Sequence, residues 1–390
     1  MKVCQKCLYT SLHPFGLEFK GNVCSGCFTH QEKYEINWEL QLSKLQELIR
    51  NNKRQKRSYD CVVPVIGDAE DYFVLNTILK LGLNPLVTSV NDYFRNDIGW
   101  HNLHNLITYF DVDSIQYSPD MQTYKNLVSA SLRKYNHILL PFLQLHTAFP
   151  VHVAKDRKIP LIIWGQNQAV EQVGKFSHLD EVQMTSWSRT EHDLMNTNID
   201  TLIGTGVATN EHKLNYYKYP DIKSLNRMSL RGIYLSNYFM WDPLRQNNSA
   251  KQYGFRPEAH SSSFDIYERA GSSVYYNFHD LLKLKRCGYQ KVLDQTCREI
   301  RHQRISRSAG QKVVEKFGEN KFYIKDFFDW LGTTDTGYSW FKEKRLHNLK
   351  NRITDIKSEQ NFNSPKVGFE ELLTGGDIAE KGYIIYGKGI

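Results

Sequence analysis

A chain of 390 residues is too long for one small core, so two or three units are expected. Hydrophobic residues at 41% and charged residues at 24% are ordinary for a soluble globular protein. A formal charge of +8 suits an anionic partner (a nucleotide, a nucleotide sugar, nucleic acid or a membrane surface) without selecting one.

The opening "MKVCQKC" lacks the apolar stretch of a signal peptide, and no segment approaches the roughly 18 apolar residues of a membrane helix. A cytoplasmic protein is expected. Seven cysteines then point away from a disulfide framework and toward metal or chemistry. The 23 tyrosines and 20 phenylalanines can fill cores or line pockets for sugars and bases.

Residues 1–32 read as a zinc ribbon. Cys4, Cys7, Cys24 and Cys27 form two C-x2-C pairs, a spacing that turns four thiolates toward one ion. Four sulfurs leave no open coordination position, so a structural Zn2+ is expected. Four unliganded thiols would give so small a segment little to fold around. Cys61, Cys287 and Cys297 are scattered, and core packing is the expectation for each.

Residues 33–58 read as a linker helix with Trp38, Leu42, Leu45 and Ile49 at helical spacing. Lys53, Arg54, Lys56 and Arg57 close it, either as a solvated helix end or as a contact for an anion.

From 59 to 275 strand and helix patterns alternate. "CVVPVI", "NPLVTSV", "VDSIQYS", "IPLIIWG" and "GIYLSNYF" are candidate strands. The stretches Val74 to Leu81, Gly99 to Tyr109 and Gln122 to Tyr135, and one containing Val151, Val153 and Ala154, are candidate helices. This order predicts a doubly wound parallel α/β sheet. Ligands in such sheets bind beyond the carboxyl ends of the strands, which puts 66–71 and 164–167 on one rim. Residues 276–350 read as a helical C-terminal region. The segment 351–390 suits a docked strand and a loose tail equally.

Taken in order, "CQKC…GNVCSGC", "YDCVVPV", "GLNPLVTSV", "IPLIIWGQN…EQVG", "GIYLSNYFMWD", "FHDLLKLKRCGY" and "DQTCREIRHQRIS" resemble the N-acetyl sugar amidotransferase family of the PP-loop ATP pyrophosphatases. The resemblance spans roughly residues 1 to 348. It implies a PP-loop domain flanked by the ribbon and a helical portion, in an enzyme of lipopolysaccharide or flagellin-glycan biosynthesis. The implied reaction turns an acetamido group on an N-acetylated or nucleotide-activated sugar into an acetamidino group. ATP with Mg2+ adenylates the amide oxygen, and ammonia from a partner glutaminase displaces AMP.

The family loop "SGGxDS" offers backbone amides and hydroxyls to phosphate. Here it reads Ile66, Gly67, Asp68, Ala69, Glu70, Asp71, with only Gly67 kept. A carboxylate about 4 Å from a phosphate charge costs roughly 4 kcal/mol at an effective dielectric near 20, more than a helix dipole returns. ATP in the family's pose is therefore disfavoured. Three accounts of the acids stand: they cap the helix themselves, they hold a bridging Mg2+, or the loop has changed ligand.

Other positions match the family pattern. Asn167 and Glu171 are candidates for sugar or ammonia handling, against a strand-end cap and a surface acid. His279 and Asp280 are a candidate proton-transfer pair, against a helix cap. Trp164 and Gly165 are candidate substrate contacts. Tyr238, Trp241 and Asp242 could wall a sugar ring, against core packing. Asp294 and Arg301 are substrate contacts or a structural ion pair. A different class of function is a nonenzymatic scaffold that binds the sugar or docks the glutaminase. tRNA modification is disfavoured, since Cys61 alone does not supply the cysteines such enzymes need.

Overall fold

The computed structural model describes residues 1–53, 57–203, 211–318 and 324–346. Arg54 and Lys56 of the basic cluster, the Cys287 side chain and the segment 351–390 lie outside the described residues.

Two short strands, β1 (Phe19–Lys20) and β2 (Val23–Cys24), pair antiparallel and lead into helix α1 (Ser25–Glu32). Helix α2 (Trp38–Lys53) follows and buries Gln41, Leu45 and Ile49. Next come β3 (Cys61–Pro64), α3 (Ala69–Lys80), β4 (Pro85–Val90), α4 (Asp97–Tyr109), β5 (Ser114–Tyr117), α5 (Met121–Tyr135), α6 (Leu140–Asp156), β6 (Leu161–Trp164) and later β7 (Arg231–Tyr234).

These five strands form one parallel sheet in the order β5-β4-β3-β6-β7. The three central strands are buried at every position because helices cover both faces, which is why they read as unbroken apolar runs. Val62, Leu86 and Ile162 join the core under α5 and α6. Cys61, Val63, Val87 and Ile163 join the core under α2, α3 and α4. Edge strand β5 alternates exposed Ser114 and Gln116 with half-buried Ile115 and Tyr117. The expected "GIYLSNYF" strand stops at Tyr234, where the chain turns into a 3-10 helix (Leu235–Asn237). Ser236 thereby reaches the end of β6, donating its N–H to Gly165 O at 3.3 Å.

From β3 the chain winds outward through β4 and β5, and from β6 it winds the other way to β7. The winding reverses between β3 and β6. Their carboxyl ends splay around a crevice, the usual ligand position of doubly wound sheets. The chain after β7 is helical for much of its length, with helices Tyr276–Cys287, Lys291–Arg301 and Arg307–Gly318. The ribbon packs against this region: its four cysteines, Tyr9 and Leu17 share one apolar cluster with Val173, Tyr289 and Cys297. Among the described residues no helix is long and apolar enough to cross a membrane.

Candidate functional site

The four ribbon cysteines converge. Their ligand atoms lie within 4.8 Å of one another, with Cys4 to Cys27 at 3.9 Å and Cys7 to Cys24 at 3.6 Å. A tetrahedron of zinc–sulfur bonds about 2.3 Å long has edges of about 3.8 Å, so the donor set fits zinc. All four are buried. Arg301 brings a compensating charge, donating from Nη2 to Cys24 Sγ at 3.8 Å. A β-carbon on Gly26 would meet that guanidinium at 2.3 Å, so the glycine admits the arginine.

The loop after β3 divides the work of its three acids. Asp71 Oδ2 accepts the main-chain N–H groups of Ile66, Gly67 and Asp68 at 2.8, 2.8 and 3.1 Å. These are the amides that would face a phosphate, and one carboxylate of the chain itself takes all three. The self-capping account thus holds for Asp71 and for Asp68, the N-cap residue of α3 in a capping box with Asp71, and needs correcting for Glu70. Asp68 also accepts the N–H of Arg269 at 3.0 Å through Oδ2, and its Oδ1 is buried without a partner. Glu70 reaches across the crevice to accept the N–H of Gln166 at 2.8 Å. A β-carbon on Gly165 would meet Glu70 Oε1 at 2.2 Å, so Gly165 makes room for this reach. Burial pushes the Glu70 carboxyl up to about 8 and the Asp71 carboxyl up to about 7. The amide seat does not fit the phosphates of ATP. Among the described residues the cysteines are the one group of three or more His, Cys, Asp or Glu gathered closely enough to hold a metal, so the loop acids form no ready Mg2+ cage.

A cavity of about 340 Å3 opens over these loops and is lined by Asp68, Glu70, Asp71, Trp164, Gly165 and Asn167. Asn167 caps the short helix α7 (Gln168–Glu171) through Oδ1, its N–H donates to Ser236 Oγ at 2.9 Å, and its Nδ2 is buried without a partner. Glu171 lines the cavity but is committed to an ion pair with buried Lys33 and to His178 Nε2 at 3.2 Å. Burial opposes its charge, and Lys33 with His178 outweighs burial, holding the carboxyl below its usual range. His279 reaches the cavity and packs at a tilt against His137, with ring centres 4.4 Å apart. Asp280 does not work with it. Adjacent helical residues point apart, and Asp280 accepts the N–H of Lys291 at 2.9 Å and pairs with Lys283 at 3.0 Å. It bridges two helices.

The expected sugar wall is not on the cavity. Tyr238 and Trp241 sit in the core under α3, where Trp241 meets Phe73 edge-on at 5.4 Å. Asp242 pairs with Arg304 at 2.5 Å. Asp294 and Arg301 do line the cavity, yet no ion pair joins them among the described residues. Asp294 accepts the hydroxyls of Tyr9 and Tyr289 and faces His13 at 3.4 Å, whereas Arg301 donates to Gln172 O at 2.8 Å. Both bind the ribbon to the body.

Several cavity residues carry no motif. Asp193 ends a π-helical turn (Arg189–Asp193), a geometry common at functional sites. It makes no hydrogen bond or ion pair among the described residues, and burial pushes its carboxyl up to about 7. His146, stacked on Phe142 at 5.3 Å, is pushed down to about 3 by burial and stays neutral. Arg269 and Tyr276 come from the segment after β7. No signal in the sequence marks Arg269; its left-handed backbone, at φ 63°, is visible only in the fold. The cavity thus combines aromatic faces, cations and three carboxyls, Glu70, Asp71 and Asp193, that burial raises toward neutral pH, which suits a hydroxylated ring and proton transfer.

Residues 258–366 match the family described as LPS biosynthesis protein WbpG-like, C-terminal domain. An uncharacterized protein of Methanocaldococcus jannaschii is 26% identical over 112 residues, 28% of this chain and 40% of that protein. The chain therefore spans about two fifths of the length of that curated relative. Among solved structures, NMN synthetase from Francisella tularensis aligns at 12% identity over 54% of this chain and 96% of that one, with a TM-score of 0.28. A likeness of that size carries no argument.

Proposed function

We propose that the chain, whose residues 258–366 match the family described as LPS biosynthesis protein WbpG-like, C-terminal domain, binds an N-acetylated, nucleotide-activated sugar in surface-glycan biosynthesis and does not adenylate it. One observation carries this reading. The matched segment supplies Glu268, Arg269, Tyr276, His279, Lys283 and Lys291 to the cavity that the β3 and β6 loops close from the other side.

The chain is thus of the N-acetyl sugar amidotransferase type with its activation step removed. Asp71 holds the amides that pyrophosphate needs, and a buried carboxyl beside an arriving phosphate repels it whenever ionised. Trp164 and Phe142 offer ring faces, and Asn167 Nδ2 offers an unpaired donor to an acetamido oxygen. The cytoplasm, where nucleotide sugars are made, is the compartment this reading requires. A partner glutaminase follows from the family resemblance, with this chain as its sugar-holding scaffold.

A second reading keeps ATP through a bridging Mg2+, and the unpaired Asp68 Oδ1 is the observation in its favour. Incubating the protein with ATP, Mg2+, ammonium and N-acetylated nucleotide sugars separates the two. The proposal expects sugar binding with no AMP or pyrophosphate released. Release of both, with nitrogen replacing oxygen in the sugar amide, restores the full enzyme.

A further inference from the structure

Arg269 lines the cavity, and its guanidinium makes no hydrogen bond or ion pair among the described residues. It lies against two rings instead, 5.2 Å from the centre of Tyr276 and 6.0 Å from that of Phe142. Such stacking fixes the plane of a guanidinium and leaves its N–H edge open.

The backbone beneath is held in place with some strain. Arg269 sits at φ 63°, a left-handed conformation that costs a non-glycine residue roughly 1–3 kcal/mol. Neighbouring bonds hold the turn. Arg269 N–H donates to Asp68 at 3.0 Å, Glu268 N–H to Asp265 at 3.1 Å, and Gly271 N–H to Glu258 at 2.6 Å. Asp68, Glu268 and Asp92 all act on the guanidinium through space, yet none forms an ion pair with it among the described residues, and Glu268 is engaged by Lys291 at 2.8 Å and Gln295 at 3.0 Å. A cation with an open donor edge, on a preset turn facing a cavity, is built to receive an anion.

We propose that Arg269 is the anion grip of this cavity, binding phosphate or carboxylate oxygens carried by the sugar, in place of the loop amides that Asp71 occupies. This rests on the sugar-binding reading. It adds which residue recognises the charge and where the anion lies, beside the Phe142 and Tyr276 rings. Asp68 is central to the exchange: standing where the family loop has its second glycine, it holds the turn that presents Arg269.

Calorimetric titration of the full chain with UDP-N-acetylglucosamine, N-acetylneuraminate and N-acetylglucosamine tests it. The wild-type protein is expected to bind one of the two anionic probes at least about tenfold tighter than the neutral sugar, about 1.4 kcal/mol. Preference for the first assigns phosphate, and for the second carboxylate. Arg269→Asn tolerates the left-handed turn and removes the cation, so it should abolish the preference for the anionic probe. Arg269→Lys keeps a point charge without the fork and should lose about tenfold; if the asparagine variant does not fold, this variant decides. Anionic preference unchanged in the variants, or absent from wild type while the neutral sugar binds, overturns the role of Arg269 alone. Binding of none of the three probes overturns the sugar reading and this proposal with it.

Discussion

Asp68 Oδ2 accepts the main-chain N–H of Arg269 at 3.0 Å, joining residues 201 apart in sequence. The bond ties the loop after β3 to the C-terminal portion of the chain across the crevice. Removing it in Asp68→Ala leaves the Arg269 amide unpaired in a strained turn. A bond to a charged acceptor is worth about 1.5–3 kcal/mol, and a stability loss of that order is expected in urea unfolding. Asp68→Asn keeps an acceptor and should lose less. Equal losses in the two variants would contradict the bond's role.

Acid–base behaviour follows from Glu70. Its folded value of about 8 lies above the ordinary 4.5 because burial penalises the charge. Between those values the folded state holds a proton that the unfolded chain releases. Stability from this group is therefore complete below 4.5 and lost as the pH rises through 8. Asp71, raised from 3.8 to about 7, acts in the same direction. Melting temperature should fall across that window, and Glu70→Gln, which keeps an acceptor for Gln166, should flatten the fall. An identical slope in the variant would count against a protonated Glu70.

The ribbon's metal is open to direct assay. Elemental analysis should find one zinc per chain, and Cys24→Ser should lose it. Because the ribbon cluster includes Tyr289 and Cys297, zinc loss should also expose the helix Lys291–Arg301 to faster amide exchange. Full zinc content in the serine variant would overturn the four-thiolate assignment.

The buried pair Lys33–Glu171 supports the rim without offering a free group to substrate. Glu171→Ala strands a buried lysine, and breaking such a pair costs about 3–5 kcal/mol. Chemical denaturation measures it. A loss below about 1 kcal/mol would return Glu171 to the list of substrate contacts.

Much of the architecture was legible because its signals are local. Continuous apolar runs mark strands buried on both faces, and two C-x2-C pairs mark a metal site. The loop acids were legible as a departure, and Asp71 capping could be argued from residue type. What could not be read was direction. Asp68 and Asp71 are three residues apart, yet one faces the loop amides and the other Arg269. His279 and Asp280 are adjacent, yet the first faces the cavity and the second holds a helix start. Tyr238 and Trp241 read equally as wall or core, and only the packing against α3 decides. Arg269 and Asp193 carry no motif because their roles come from tertiary placement.

The central claim is that Asp71 fills the phosphate seat, and titration of the protein with pyrophosphate and with ATP, each with and without Mg2+, tests it most directly. The account predicts no saturable binding of either to the wild-type chain, and pyrophosphate binding once Asp71→Ser frees the amides of Ile66, Gly67 and Asp68. Saturable binding of ATP or pyrophosphate to the wild type, lost in a variant that blocks those amides, would contradict it.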